Sequence, residues 1–255
     1  QSRTFTLEAD FTGADTVSTN VRNGQTALEC QSADDPAFCN ARKDVVLLGR
    51  TFVSQANAVW SDNTNADYVV GVSTLTGKQI TRLDSALVTI NGKPTGALPL
   101  RTGRNLPGRI TTDANGDVWI INRAVSLGQG TLSKFTSTKS HCIDRNGDGQ
   151  IQTAGDLNGD GFVDPAYVDL ATGNREYYGQ EEECILTTIP VGKPNDIPRS
   201  VAVDKKGKIW AGTFSGRHLY RYNPNEPVTL EKGIDLGALG IPGNPYSAAT
   251  GKDYA

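Results

Sequence analysis

Residues 144–152 read Asp-Arg-Asn-Gly-Asp-Gly-Gln-Ile-Gln, and residues 156–164 read Asp-Leu-Asn-Gly-Asp-Gly-Phe-Val-Asp. The runs repeat every 12 residues and set oxygen-bearing side chains at alternate positions: Asp144, Asn146 and Asp148, then Asp156, Asn158 and Asp160. Ca²⁺ takes about six to eight hard oxygen ligands. A tight loop supplies them from positions 1, 3 and 5, a backbone carbonyl at 7 (Gln150, Phe162) and an oxygen at 9 (Gln152, Asp164). Gly149 and Gly161 at position 6 permit the sharp turn. Ile151 and Val163 at position 8 can pin each loop to apolar surface. The spacing predicts one or two calcium ions.

In these features the pair resembles EF-hand and dockerin calcium loops over about 25 residues. It departs at position 12, where an EF-hand places a bidentate Glu and this chain has Gly155 and Tyr167. The last ligand is therefore expected from elsewhere. Asp156 follows the first loop and opens the second, so it serves either ion or bridges both. Asp164, Asp169 and Glu176 are the candidates to complete the second. No amphipathic helical segment flanks either loop, which favours a structural clamp over a sensor. Asn-Gly and Asp-Gly pairs also make plain turns, but two aligned copies in register weigh against that reading.

Local charge agrees. Ten acidic and two basic residues lie between Cys142 and Cys184, net −8, against 18 acidic and 23 basic residues elsewhere. Without a cation this segment would repel itself.

The 255 residues, 37% hydrophobic, suffice for a real core in a single domain, 1–255, with residues 142–184 as an insertion. Net charge is −3 and no long Lys/Arg run occurs, so a nucleic-acid footprint is absent. No apolar stretch approaches the roughly 18 residues of a membrane span. Methionine is missing altogether. Gln1 is therefore expected to follow removal of a signal peptide, which predicts a secreted or cell-surface protein. Four cysteines suit an oxidising compartment. Of three pairings, Cys30–Cys39 and Cys142–Cys184 are favoured as local; the second clasps the insert and would contribute about 4 kcal/mol by loop closure. A four-cysteine zinc site lacks any Cys-x-x-Cys pair.

The elements that must carry this insert are short β-rich runs punctuated by Gly, Asn, Asp and Pro. The chain is all-β. Ala58-Val59-Trp60-Ser61, Asp117-Val118-Trp119-Ile120 and Lys208-Ile209-Trp210-Ala211 align and hold every tryptophan. A second strand follows each, at residues 68–72, 130–135 and 218–222. The last two are also preceded by a strand and an acidic glycine turn, residues 109–116 and 199–207. Such antiparallel meanders are the signature of β-propeller blades. Trp60 and Trp119 lie 59 residues apart, and Trp119 and Trp210 lie 91 apart. Omitting the insert brings the second interval within the roughly 40–50 residues of a blade. The insert is then expected between two blades, and the longer first interval predicts an enlarged loop or extra strands over residues 83–107.

These motifs resemble the secreted bacterial propellers related to virginiamycin B lyase, whose blades carry Asp-x-x-Gly-x-[Val/Ile]-Trp. The matches are Asp113, Gly116, Val118 and Trp119, and again Asp204, Gly207, Ile209 and Trp210. Gly243-Asn244-Pro245-Tyr246-Ser247 is similar to the opening strand of another blade. The resemblance implies a β-propeller-like fold of about four to five blades. The alternating run at residues 3–11 is a candidate to complete the last one. Closing within one molecule it makes a ring; pairing between molecules by strand exchange it makes a homo-oligomer or filament.

The same resemblance would imply histidine and glutamate around a metal at the ring mouth, yet the chain has only His141 and His218, neither in a catalytic motif. Gly-x-Ser-x-Gly and His-Glu-x-x-His are absent. The tryptophans read as blade core, and Glu176, Tyr177, Tyr178 and residues 181–183 as a solvated acidic turn. The expectation is a calcium-stabilised protein of the bacterial exterior that binds or assembles rather than catalyses, with a lyase-like propeller enzyme as the alternative.

Overall fold

The computed structural model describes residues 51–53, 58–62, 68–73, 78–99, 105–125, 128–136, 138–224 and 233–245. The first sheet is a meander of β1 (Thr51–Val53), β2 (Ala58–Asp62), β3 (Tyr68–Ser73) and β4 (Gln79–Asp84). The hairpin β5 (Thr89–Ile90) and β6 (Lys93–Pro94) follows, which accounts for the long first interval. The second meander is β7 (Pro107–Thr112), β8 (Val118–Asn122), β9 (Thr131–Phe135) and β10 (Ile185–Pro190). The third is β11 (Pro198–Val203), β12 (Ile209–Thr213), β13 (His218–Tyr222) and β14 (Ile234–Asp235). All pairings are antiparallel, and short turns join β7 to β8, β11 to β12 and β12 to β13.

Each tryptophan sits on the second strand of its meander, as the motif predicts. Trp60 pairs with Phe52 and Gly71, Trp119 with Thr111 and Lys134, and Trp210 with Ala202 and Arg221. Side chains alternate across a strand, so each meander offers two faces. Val118, Ile120 and Phe135 turn toward Val69 and Leu83 of the first meander. Trp119, Ile121 and Leu132 turn toward Val201, Ile209 and Ala211 of the third. Successive meanders therefore stack face to face through two apolar layers. Trp119 is wholly buried, with Tyr222 edge-on at 5.7 Å; Trp210, which faces away from the second meander, is only half-buried.

Small residues set the close approaches. A Cβ on Gly130 would come within 2.2 Å of Pro198 Cδ at the start of the third meander. One on Gly212 would come within 2.6 Å of Pro245 Cβ. The Gly243-Asn244-Pro245 segment is thus seated against the third meander, much as Pro198 is seated against the second.

One expectation is corrected. The insert does not lie between two blades; it joins β9 to β10 within the second meander, because the strand needed to complete that sheet begins at Ile185, directly after Cys184. The described residues form three blade-like meanders and the small hairpin, with no closed ring among them. The Cys30–Cys39 pair, residues 3–11 and Tyr246-Ser247 lie outside the described residues. Among those described, no helix is long and apolar enough to cross a membrane.

Candidate metal centre

Cys142 and Cys184 are disulfide-bonded at the base of the insert, with Cα atoms 4.4 Å apart. Beyond them the two loops are built alike. Asp144 accepts the Gly147 amide at 2.6 Å on Oδ1 and the Gly149 amide at 2.9 Å on Oδ2. Asp156 accepts Gly159 at 2.7 Å and Gly161 at 2.9 Å on the same two atoms. Asn146 Oδ1 takes the Asp148 amide and Asp148 Oδ1 the Gln150 amide; Asn158 and Asp160 repeat both contacts with Asp160 and Phe162. Gly147, Gly149, Gly159 and Gly161 have positive φ, which lets the amides turn inward. Asp156 therefore opens the second loop.

Two glutamates organise the loops from outside. Glu183 accepts the amides of Arg145 at 2.7 Å, Asn146 at 3.4 Å and Gln152 at 2.9 Å. Glu176 accepts those of Leu157 at 2.9 Å, Asn158 at 3.1 Å and Asp164 at 2.8 Å. The positions correspond one to one, 12 residues apart. Both glutamates are buried, as is Glu182, so of the acids in the turn expected to be solvated Glu181 alone is exposed. Glu176 was legible as a candidate; Glu183 was not. The one sequence signal for Glu183 is its place beside Cys184, whose partner precedes Asp144 by two residues.

The donor set fits a hard cation. Asp144, Asn146, Asp148 and the Gln150 carbonyl, or Asp156, Asn158, Asp160 and the Phe162 carbonyl, supply oxygen only, and carboxylate oxygens that accept one amide retain a second lone pair. In the first loop the electropositive role falls to amide groups: Asn146 Nδ2 donates to Asp148 Oδ2 and Gln152 Oε1, each at 3.0 Å, and Gln152 Nε2 donates to Asp148 Oδ2 at 2.8 Å. Among the described residues no three His, Cys, Asp or Glu side chains converge on a common metal position. Asp169 caps its own turn, accepting Ala171 N at 2.9 Å and Thr172 Oγ1 at 2.7 Å. Asp164 likewise accepts the Ala166 amide.

Burial pushes the Glu182 carboxyl up to about 7, against the downward pull of the Thr153 side chain, the Ala154 and Cys184 amides and Arg145. Burial lowers the Arg145 guanidinium, which Glu183 and Glu182 raise. That guanidinium donates to the Glu182 and Ile185 carbonyls and so ties the first loop to β10.

The second loop reaches the first meander. Gln79 N donates to Gly161 O at 3.0 Å, Val163 N to Gln79 Oε1 at 3.1 Å and Lys78 Nζ to Gly159 O at 3.0 Å. Val163 and Ala154 enter the apolar layer between the first two meanders, so position 8 does pin this loop. Farther along, Tyr177 hydroxyl bonds Asp84, and Gln180 bonds Asp84 Oδ2 at 2.7 Å, Ala86 O at 3.0 Å and the Val88 amide at 2.7 Å. The insert therefore lies along β4 from end to end. His141, beside Cys142, stands 4.0 Å from Asp117, and His218 stands 3.9 Å from Asp235.

No protein-family model and no curated protein matches the sequence. Among solved structures, the chain is similar to a catalytically inactive virginiamycin B lyase from Staphylococcus aureus with quinupristin, at 14% identity over 72% of this chain and 42% of that one, TM-score 0.39. A protein of unknown function from Bacteroides caccae matches at 10% identity over 80% and 49%, TM-score 0.41. The Cps50 (Swd1) β-propeller domain of Myceliophteria thermophila matches at 9% over 76% and 46%, TM-score 0.40. The chain spans under half the length of each. Its fold description rests on the three meanders themselves.

Proposed function

We propose that this chain is a secreted, calcium-stabilised β-propeller-like protein with a structural or binding role, in which the disulfide-clasped insert holds neighbouring blades together. The observation that carries the reading is the duplicated construction around Glu183 and Glu176: two buried carboxylates, each gathering the same three amides of an Asp-x-Asn-x-Asp-Gly loop. Such a concentration of anionic oxygen is strongly favoured by a divalent cation.

In this reading the first ion stiffens the loop rooted on β10, and the second stiffens the loop that bonds Gln79 and Lys78. Calcium thus acts as a brace between the first and second meanders. Isothermal titration of the EDTA-treated protein with calcium chloride tests it. Saturable heat with a raised melting temperature is expected, and a flat titration discards the calcium assignment.

The half-buried Trp210 face, with Pro245 already seated on it, supports a further blade packing there, from the same chain or a second copy. A filament built by such exchange predicts polymers by electron microscopy in calcium at neutral pH; a compact monomer under those conditions argues for closure within one molecule.

A further inference from the structure

We infer that the Cys142–Cys184 disulfide sets the calcium affinity of the first loop and leaves the second loop largely unaffected. The inference rests on the calcium reading above and adds a redox control to one of its two sites.

The asymmetry is in how each organising glutamate is delivered. Glu176 reaches Asp164 across 12 residues and Leu157 across 19, within the insert. Glu183 reaches back across 38 residues to Arg145 and 31 to Gln152. What holds it there is the clasp: Cys184 follows Glu183 directly, and its partner Cys142 precedes Asp144 by two residues. Ile143 N donates to the Glu183 carbonyl at 3.0 Å and Glu183 N to the Gln152 carbonyl at 2.9 Å, so the backbone at Glu183 is framed by both ends of the first loop. The disulfide removes the chain entropy that these contacts would otherwise have to overcome. Glu176 has the same kind of backbone frame, with Gly155 N donating to its carbonyl at 3.0 Å and its own amide donating to the Tyr167 carbonyl at 3.4 Å, but no disulfide among the described residues adjoins it.

Reduction by a dithiol breaks the Cys142–Cys184 sulfur–sulfur bond, leaves two thiols and converts the dithiol to its cyclic disulfide. Glu183 is then held by its hydrogen bonds and by the β9–β10 pairing that begins at Ile185 opposite Phe135, without a covalent closure of the loop. Because linkage is reciprocal, whatever factor reduction costs in calcium affinity, calcium returns as the same factor in favour of the oxidised form.

The test uses the full chain. Calcium chloride is titrated calorimetrically into the oxidised protein and into protein kept reduced with dithiothreitol. Two binding classes are expected in the oxidised form, one of which weakens about tenfold or more on reduction while the other changes less than about twofold. In a second measurement, wild-type protein is equilibrated across dithiothreitol redox buffers with calcium or EDTA, and alkylation at Cys142 and Cys184 is read by peptide mass mapping. Calcium is expected to raise the oxidised-to-reduced ratio by the factor seen in the titration; tenfold corresponds to about 30 mV. This readout holds even if a Cys142→Ser variant fails to fold. Unchanged affinities on reduction, or equal weakening of both classes, overturns the coupling while leaving calcium binding in place. Absence of heat in the oxidised protein overturns the calcium reading itself.

Discussion

The Trp119 indole donates to Asp113 Oδ2 at 3.0 Å, across the turn that joins β7 to β8. Trp210 repeats the bond to Asp204 Oδ2 at the same distance. In both turns the other carboxylate oxygen binds two backbone amides, of Asn115 and Asp117 in one and Lys206 and Lys208 in the other. A cation from the third strand lies over each ring: Lys134 Nζ 5.4 Å from the Trp119 centroid, Arg221 Cζ 5.6 Å from that of Trp210. The Asp-x-x-Gly-x-[Val/Ile]-Trp spacing is thus a clamp that closes the hairpin and, at Trp119, orients the ring toward the third meander. Its parts answer to structure and require no ligand.

Asp113→Ala should remove the indole bond, the two amide bonds and the Lys134 pair at once, costing about 2–3 kcal/mol, with Trp119→Ala costing about 3–5 kcal/mol. Urea unfolding followed by tryptophan fluorescence measures both. An Asp113→Ala protein as stable as wild type would remove the clamp from the account.

Acid should loosen the third-meander clamp. Burial raises the Asp204 carboxyl, but the Trp210 indole, the Lys208 and Lys206 amides and Arg221 together hold it below its ordinary value. A lowered carboxyl stabilises the fold above the unfolded-state value and loses that contribution as pH falls through the folded one. The melting temperature is expected to drop below about pH 4, more steeply in wild type than in Asp204→Asn. Parallel curves for the two proteins would count against it.

On the proposed calcium reading, chelation should act on two places that can be told apart. Glu183→Gln is expected to weaken the first loop and Glu176→Gln the second, each by about 1–3 kcal/mol, since one buried acceptor then meets its amides with a competing donor. With EDTA, or in Glu176→Gln, hydrogen exchange should accelerate over residues 79–88, where the insert lies on β4. Exchange confined to the loops would show that the insert does not brace the first meander.

Glycines at the seams should tolerate no side chain. Gly130→Ala sets a methyl 2.2 Å from Pro198 Cδ, and Gly212→Ala sets one 2.2 Å from Ser200 Oγ. Each should cost about 1–3 kcal/mol or more by overpacking. Gly116→Ala, in open space at φ +79°, should cost about 1–2 kcal/mol, from backbone conformation alone. Thermal melts of the three variants give the comparison.

The sequence by itself determined what depends on near neighbours. Three tryptophan meanders follow from strand alternation and the aspartate six residues before Trp119 and Trp210, because a hairpin turn and its strand register are local. The alternating oxygens of the two loops are local in the same sense, whereas the Cys142–Cys184 pair spans 42 residues and follows from the even cysteine count and its spacing. Only the tertiary structure decided which carboxylates organise those loops. Glu183 sits far along the chain from Arg145 and reads as one acid in a charged run until the disulfide brings it back. The placement of the insert was also decided in three dimensions: with Ile185 needed to pair against Phe135, the excursion had to occur inside a sheet, and its second loop came to rest on Gln79 of another. Spacing records that a strand is missing; pairing energy across the sheet determines which strand fills it.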